Sequence, residues 1–174
     1  PRSTLGHIRE IDGVQVAEGR IRMPATLDLA GFDEPVEALI ASLPERGEPV
    51  LNRLFIGRGE LPHGDGAAQV VVSESFAEAH SLVPGDTLDA IVRGRAMTLT
   101  ISAVGLSPEY VYQIRPGALF RDYQRYAVLW MRESALERAA DMDGAFNSLV
   151  VTLARGASTA AVIDRIDDEL AAWG

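Results

Sequence analysis

The chain has 174 residues, of which 47% are apolar and 24% charged, and its net charge at neutral pH is -9. This length and balance suit one folded unit or two interlocked subdomains and argue against intrinsic disorder. The negative charge repels the phosphates of nucleic acid, so no nucleic-acid partner is expected. The absence of cysteine excludes disulfides, thiol catalysis and Cys-ligated metal sites.

The N-terminal part predicts a short helix and then a long strand. Apolar residues at helical spacing predict a helix over residues 4–11. Apolar and polar residues then alternate from Gly19 to Leu29, the pattern of a sheet with one solvent-facing side. A change of phase before this stretch predicts a β-bulge near residues 17–19. Pro24 cannot donate a ladder hydrogen bond, so we expect the strand to lie at a sheet edge or to bend there.

The middle of the chain predicts a series of strands with two well-marked turns. Pro84 and Gly85 have the residue types of a type II turn, in which Gly85 needs a positive φ. A hairpin is expected across residues 93–95. Ser73 follows an apolar strand and is expected to cap a brief helix. The strands expected here cover residues 36–43, 50–56, 69–72, 87–92 and 96–104, with a glycine-rich loop over residues 57–66.

The C-terminal part predicts two strand–helix pairs. A strand over residues 126–131 leads into a helix over residues 133–140, and a strand over residues 146–153 leads into a final helix from Ser158. The longest apolar run, residues 126–131, is far below the roughly 20 residues of a membrane-spanning helix. The chain starts without Met or a signal peptide and is interpreted as a segment of a longer protein. The final helix is expected to bury one apolar face formed by Val162, Ile163, Ile166, Leu170 and Trp173.

A nucleophilic catalytic set is the first chemical site to be weighed. Ser73 or Ser75 with His80 and Asp86 supplies the residue types of a Ser-His-Asp triad. The sequence around Ser73 lacks the glycines of the G-x-S-x-G turn that lets a substrate approach closely. A helix cap explains Ser73 fully, so no catalytic residues are assigned.

Metal and nucleotide sites are supported no better. His63 and Asp65 supply two metal ligands, but a glycine-rich turn explains the same residues. Gly57 and Gly59 form a G-x-G without the third glycine or the strand–helix setting of a dinucleotide site, and no Walker A sequence is present. We therefore expect no cofactor and no metal.

An aromatic segment offers the best candidate contact surface. It lies between the expected hairpin and the strand at residues 126–131 and is interrupted by prolines. Irregular segments usually run on the surface and carry contacts. Packing into the core is the alternative, and exposure of at least two of the five residues would favour a partner surface. The candidate partner contacts are Tyr110, Tyr112, Leu119, Phe120 and Tyr123.

The order of several short motifs resembles a known family. From Gln69 to Leu88 an apolar strand leads into Ser-Glu at a helix start, then Ala, then Pro-Gly-Asp before a hairpin strand. Ser102–Gly105 ends the next strand, Ser107–Tyr112 follows it, and Asn52–Gly59 introduces the glycine-rich loop. The final strand, Phe146–Leu153, precedes the last helix. This order is similar to the MacB-like periplasmic core domain of FtsX-type ABC-transporter permeases.

The resemblance implies a fold of the α+β class with two lobes. Both chain ends, residues 1–62 and 118–174, would form an α/β layer, and residues 63–117 would form an inserted β-rich lobe. Such a domain would lie outside the cytoplasm at the inner membrane, between membrane helices of its own protein.

The resemblance also implies a function without catalysis. The domain would couple helix movement, and indirectly an ABC ATPase subunit, to a periplasmic protein or lipid substrate. It would be no enzyme and would hold no cofactor. The alternative is a free-standing periplasmic binding or adaptor module, and a small hydrolase built on Ser73 and His80 is a weaker rival.

Overall fold

The computed structural model describes residues 1–29, 31, 35–63, 67–110 and 122–173. They divide into two compact units, one made of Pro1–Arg20 with the chain from Gly144 onward, the other of Ile21–Asp143. No helix in these ranges is long and apolar enough to cross a membrane. In chain order the elements are α1 (Thr4–Glu10), β1 (Val14–Arg20), β2 (Arg22–Asp28), β3 (Val36–Leu43), β4 (Phe55–Gly59), β5 (Gln69–Ser73), α2 (Glu74–Ala79), β6 (Thr87–Val92), β7 (Arg95–Leu106), β8 (Tyr126–Arg132), α3 (Glu133–Ala140), β9 (Ser148–Leu153) and α4 (Thr159–Leu170), with short 3-10 turns at Pro108–Tyr110 and Ala171–Trp173.

The unit formed by the two chain ends is a two-stranded sheet with two helices. β1 and β9 pair antiparallel, and α1 packs against both β1 and α4. Ser158 caps α4 by accepting a hydrogen bond from the Ala161 amide. The expected buried face of α4 is only partly present, because Val162 is buried whereas Ile163 and Trp173 are 51% and 63% exposed. Two strands and one seven-residue helix provide too little surface to cover the whole apolar side of α4.

The second unit is built on a seven-stranded sheet in the order β4-β7-β5-β8-β3-β2-β6. The β3–β8 and β5–β7 pairs are parallel and the others antiparallel. Because β7 also pairs with β6, the hydrogen-bonded circuit returns to β7, and six strands form a closed sheet. β4 is added to the outside of this circuit through β7.

Successive side chains along the strands of the closed sheet point to opposite faces, and each face carries its own apolar cluster. The inner cluster includes Ile40, Leu99 and Leu129, and helices α2 and α3 add Phe76 and Leu136 to it. The outer cluster lies on the opposite face of the strands and contains Ala41, Leu43, Leu54, Val71, Ala103, Tyr126, Val128 and Trp130. Residues 126–131 of β8 contribute alternately to the two clusters, which explains why this run is buried throughout and apolar without alternation.

The predicted hairpin and several element bounds are confirmed. Residues 36–43 and 133–140 are strand and helix as expected. The β6–β7 hairpin turns through Arg93 and Gly94, both at positive φ, which is the backbone of a two-residue type I′ turn.

Four expectations about strands β1 to β4 are wrong. The stretch expected to be one bulged strand is two strands in different sheets, β1 and β2, so the phase change marks the passage between the two units. The bulge itself lies at Val14–Val16. β2 is internal, so the edge position that was one of the two alternatives for Pro24 is wrong; Pro24 is tolerated because pairing with β6 begins one residue later, at Ala25. The strand expected over residues 50–56 is instead β4, Phe55–Gly59.

The α+β class is confirmed, as is the arrangement of an insertion between two chain ends, but the boundaries differ from those expected. The sequence suggested lobes of residues 1–62 plus 118–174 and of residues 63–117. The structure divides instead after Arg20 and after Asp143. The reason is that β5, β6 and β7 of the expected insert belong to the same sheet as β2, β3 and β8, with β5 paired to β8 and β6 paired to β2.

The Pro84–Gly85 turn gives a first testable prediction. Gly85 has φ +101 as expected, and a Cβ at this position would meet no atom within 4 Å. Gly85→Val should therefore lower the free energy of unfolding through backbone strain alone, by about 1–3 kcal/mol. As a control, Gly6→Ala in α1 also has open space and should stabilise by up to ~1 kcal/mol. Urea unfolding measures both, and an unchanged midpoint for Gly85→Val would contradict the turn assignment.

Candidate functional site

The outer face of strands β2, β3, β6 and β8 carries a groove of about 390 Å³. Outward side chains of these four strands and the Arg93–Gly94 turn form its walls. We call it the outer groove; its side chains include Pro24, Thr26, Glu37, Leu39, Ile91 and Tyr126. Mostly apolar walls with a few polar groups are typical of surfaces that bind peptides or small molecules.

Tyr126 is the polar centre of the outer groove. It is only 8% exposed, and this burial raises the pKa of its hydroxyl above the ordinary value. The positive charge of Arg22 opposes the rise and the negative charge of Glu37 adds to it. The hydroxyl therefore stays protonated at neutral pH and can donate a hydrogen bond. It is influenced by both the positive charge of Arg22 and the negative charge of Glu37.

Tyr110 packs on the same face of the sheet. Its ring meets the Trp130 ring edge-on with 5.9 Å between the ring centroids. The Arg22 guanidinium carbon lies 5.5 Å from the centroid of the Tyr110 ring, within the range of a cation–π contact. Arg22 thus contacts Tyr110 and also acts on the charge environment of Tyr126, which links Tyr110 to the outer groove.

Two of the five candidate contact residues, Tyr110 and Tyr123, lie within the described part of the chain. Tyr110 and Tyr123 are both half-buried, and the expectation that at least two of the five are substantially exposed stays a prediction. Tyr112, Leu119 and Phe120 lie outside the described residues, and their role as partner contacts stays a prediction.

The residues of the candidate triad make contacts elsewhere. Ser73 is fully buried, and its Oγ accepts a hydrogen bond from the Val128 amide instead of capping α2. His80 Nε2 lies 2.8 Å from the Gln124 carbonyl oxygen, and Asp86 Oδ2 accepts from the Val83 amide. The Ser73 contact holds β8, the His80 contact holds the C-terminal end of α2, and the Asp86 contact holds the turn at Pro84–Gly85.

The candidate metal pair is described only in part. The His63 amide donates to Gln69 Oε1, whereas Asp65 lies outside the described residues. Among the residues that the structure describes, no three His, Asp or Glu side chains are grouped closely enough to hold a metal ion.

Sequence reasoning missed a buried arginine at the end of β8. Arg132 is 7% exposed, and its guanidinium donates to the carbonyl oxygens of Pro62 (2.6 Å), Pro44 (2.5 Å) and Gly47 (2.8 Å). Burial lowers its pKa from the ordinary value, against the opposing influence of Glu45, but the group remains charged at neutral pH. Arg132 therefore fixes the loops on both sides of β4; the charged residue directly after an apolar strand was its only sequence signal.

The fold is one found in periplasmic and extracellular domains of ABC-type transporters. The chain is similar to the periplasmic region of MacB from Actinobacillus actinomycetemcomitans, with a TM-score of 0.57 and 14% identity over 98% of this chain and 72% of that chain. It is also similar to the extracellular domain of the noncanonic ABC-type transporter YknZ from Gram-positive bacteria, with a TM-score of 0.56 and 10% identity over 97% of this chain and 83% of that chain. No protein-family model and no curated protein sequence matches the chain significantly. The MacB-like fold predicted from the motif order is thus confirmed.

Proposed function

We propose that the chain is the extracytoplasmic domain of an ABC-transporter permease and couples movement of membrane helices to an extracytoplasmic substrate or partner. The observation that carries this proposal is the similarity of fold over nearly the whole chain to the two transporter domains. The ATP chemistry would then belong to an ATPase subunit or domain, and the partners of this chain would be membrane helices and a periplasmic protein or lipid.

The position of the chain ends supports this role. Pro1, Leu170 and Trp173 line one cavity of about 230 Å³ in the unit made from both ends. His7 Nδ1 on α1 lies 3.4 Å from Glu169 Oε2 on α4. Two chain ends that lie together can join neighbouring membrane helices without a long linker, as a domain inserted between two such helices requires.

The full-length gene tests the proposal directly. We expect an apolar segment of about 20 residues next to each end of the domain, and reporter fusions that place the domain outside the cytoplasm. A gene that encodes a signal peptide and no spanning segment would instead support a free-standing periplasmic binding module.

The outer groove and Tyr110 form the contact surface in this proposal. Ile91 is 49% exposed on the groove wall, so Ile91→Glu should leave the stability within about 0.5 kcal/mol and yet place a charge where a partner docks. In the full-length protein we expect it to reduce complementation of a strain that lacks the gene. Ile163→Glu is the matched control, since Ile163 is equally exposed on α4. Equal complementation by both variants would contradict a role for the groove.

A further inference from the structure

Strand β4 is the outermost strand of the seven-stranded sheet. It pairs with β7 and with no other strand in the described part of the chain. An edge strand presents unpaired backbone N–H and C=O groups, to which another extended chain can add by continuing the ladder. β4 therefore has the backbone chemistry of a strand-addition site.

The side chains at this edge are unusually apolar. Phe55 is 70% exposed, the largest exposed fraction among the big apolar residues of the described chain, and Leu106 is 40% exposed. The two stand directly opposite each other in the β4–β7 register, where cross-strand side chains touch. An exposed aromatic–aliphatic pair beside an unpaired edge resembles the anchor of a binding site.

The charged side chains of β4 and of the residues just before it are all positive, although Glu60 follows the strand, Glu74 lies beside Gly57 and Glu109 accepts a hydrogen bond from Asn52. Arg53 and Arg58 flank Phe55, and both are exposed. No acidic residue occurs from Asn52 to Gly59, although the chain carries a net charge of -9. Neither arginine has an ion-pair partner among the described residues, so their charges are directed to whatever docks there.

These features distinguish between three kinds of occupant. A second copy paired edge to edge would bring Arg53 and Arg58 of both copies together, and like charges placed together disfavour self-pairing. A lipid headgroup offers no repeating amides to complete the ladder. An extended acidic segment satisfies the backbone, the apolar pair and the arginines at once.

We propose that β4 is a docking edge for an extended segment of a partner protein in which acidic residues alternate with apolar ones. Backbone hydrogen bonds would add the segment to β4, an apolar side chain would cover Phe55 and Leu106, and carboxylates would pair with Arg53 and Arg58. The proposal depends on the edge alone, so it can fail while the role in transport stands, and the reverse also holds.

The test uses the 174-residue chain and short synthetic peptides that alternate valine with either glutamate or lysine. We expect the glutamate peptide to bind at least about tenfold more tightly than the lysine peptide, a difference of ~1.4 kcal/mol, and to protect the β4 amides from hydrogen exchange. Binding should weaken as salt is added. Phe55→Ser and Arg58→Glu should each weaken binding by about tenfold or more.

Two matched variants serve as controls. Ile163→Ser removes an exposed apolar side chain and Arg155→Glu reverses an exposed charge, both in the other unit, and both should bind as the unchanged chain does. The proposal is overturned if the glutamate peptide leaves the β4 amides unprotected, or if the controls weaken binding as much as the β4 variants. Protection of β4 by anionic vesicles but not by the peptide, or by raising the protein concentration alone, would also overturn it and would identify a lipid or a second copy as the occupant.

Discussion

Arg132→Leu is expected to lower the free energy of unfolding by about 3–5 kcal/mol. The substitution removes three hydrogen bonds from a charged donor, each worth roughly 1.5–3 kcal/mol, and leaves carbonyl oxygens without their donor. The leucine side chain makes apolar contacts in the space that the arginine occupied, which recovers part of the lost free energy. Urea unfolding followed by circular dichroism gives the value.

Two further variants show whether the geometry of the guanidinium is responsible. Arg132→Lys keeps the charge but replaces the fork of donors by a single ammonium group, so its loss should be intermediate. Arg155→Leu removes an exposed arginine and should change stability by no more than about 0.5 kcal/mol. If Arg132→Leu were as stable as Arg155→Leu, the three contacts would contribute nothing to folding.

Arg132 also shows where sequence reasoning stops. The strand and helix around it, β8 and α3, were predictable because apolar runs and helical spacing are local patterns. Its acceptors lie 70 to 88 residues earlier in the chain, and no local pattern encodes such a pairing. The same limit explains the lobe boundaries, since strands distant in sequence, such as β3 and β8 or β2 and β6, pair in the closed sheet.

The candidate site was predictable to a similar extent. The aromatic segment was recognisable from its composition, and Tyr110 does lie on the surface that carries the outer groove. The groove itself was not predictable, because four strands from three parts of the chain meet there. For Ser73 the predicted position is correct and the predicted contact is not: it is the N-cap residue of α2, but its hydroxyl accepts a hydrogen bond from the Val128 amide, far away in sequence.

The conformation of β4 depends on one glycine. Gly59 has φ +80, and a Cβ there would lie 2.2 Å from the Ser102 carbonyl oxygen and 2.9 Å from Ala103 Cα. Both atoms belong to the backbone of β7, so no side chain can move aside. With β4 held on β7, Gly59→Ala would cost roughly 2–5 kcal/mol, from strain at positive φ and from overpacking.

Separation of β4 is the expected outcome, because an edge strand can detach while the closed sheet stays intact. In Gly59→Ala we expect the β4 amides to lose protection from hydrogen exchange, the β8 amides to keep theirs, and the glutamate–valine peptide to lose its site. Gly57→Ala is the control within the same strand, since a Cβ there meets its nearest atoms at ordinary distances of 3.6 and 3.7 Å, and it should keep both exchange protection and peptide binding. If Gly59→Ala matched Gly57→Ala in stability and exchange, the close approach of β4 to β7 would be incorrect. If β4 detached and the peptide still bound, the docking edge would lie elsewhere.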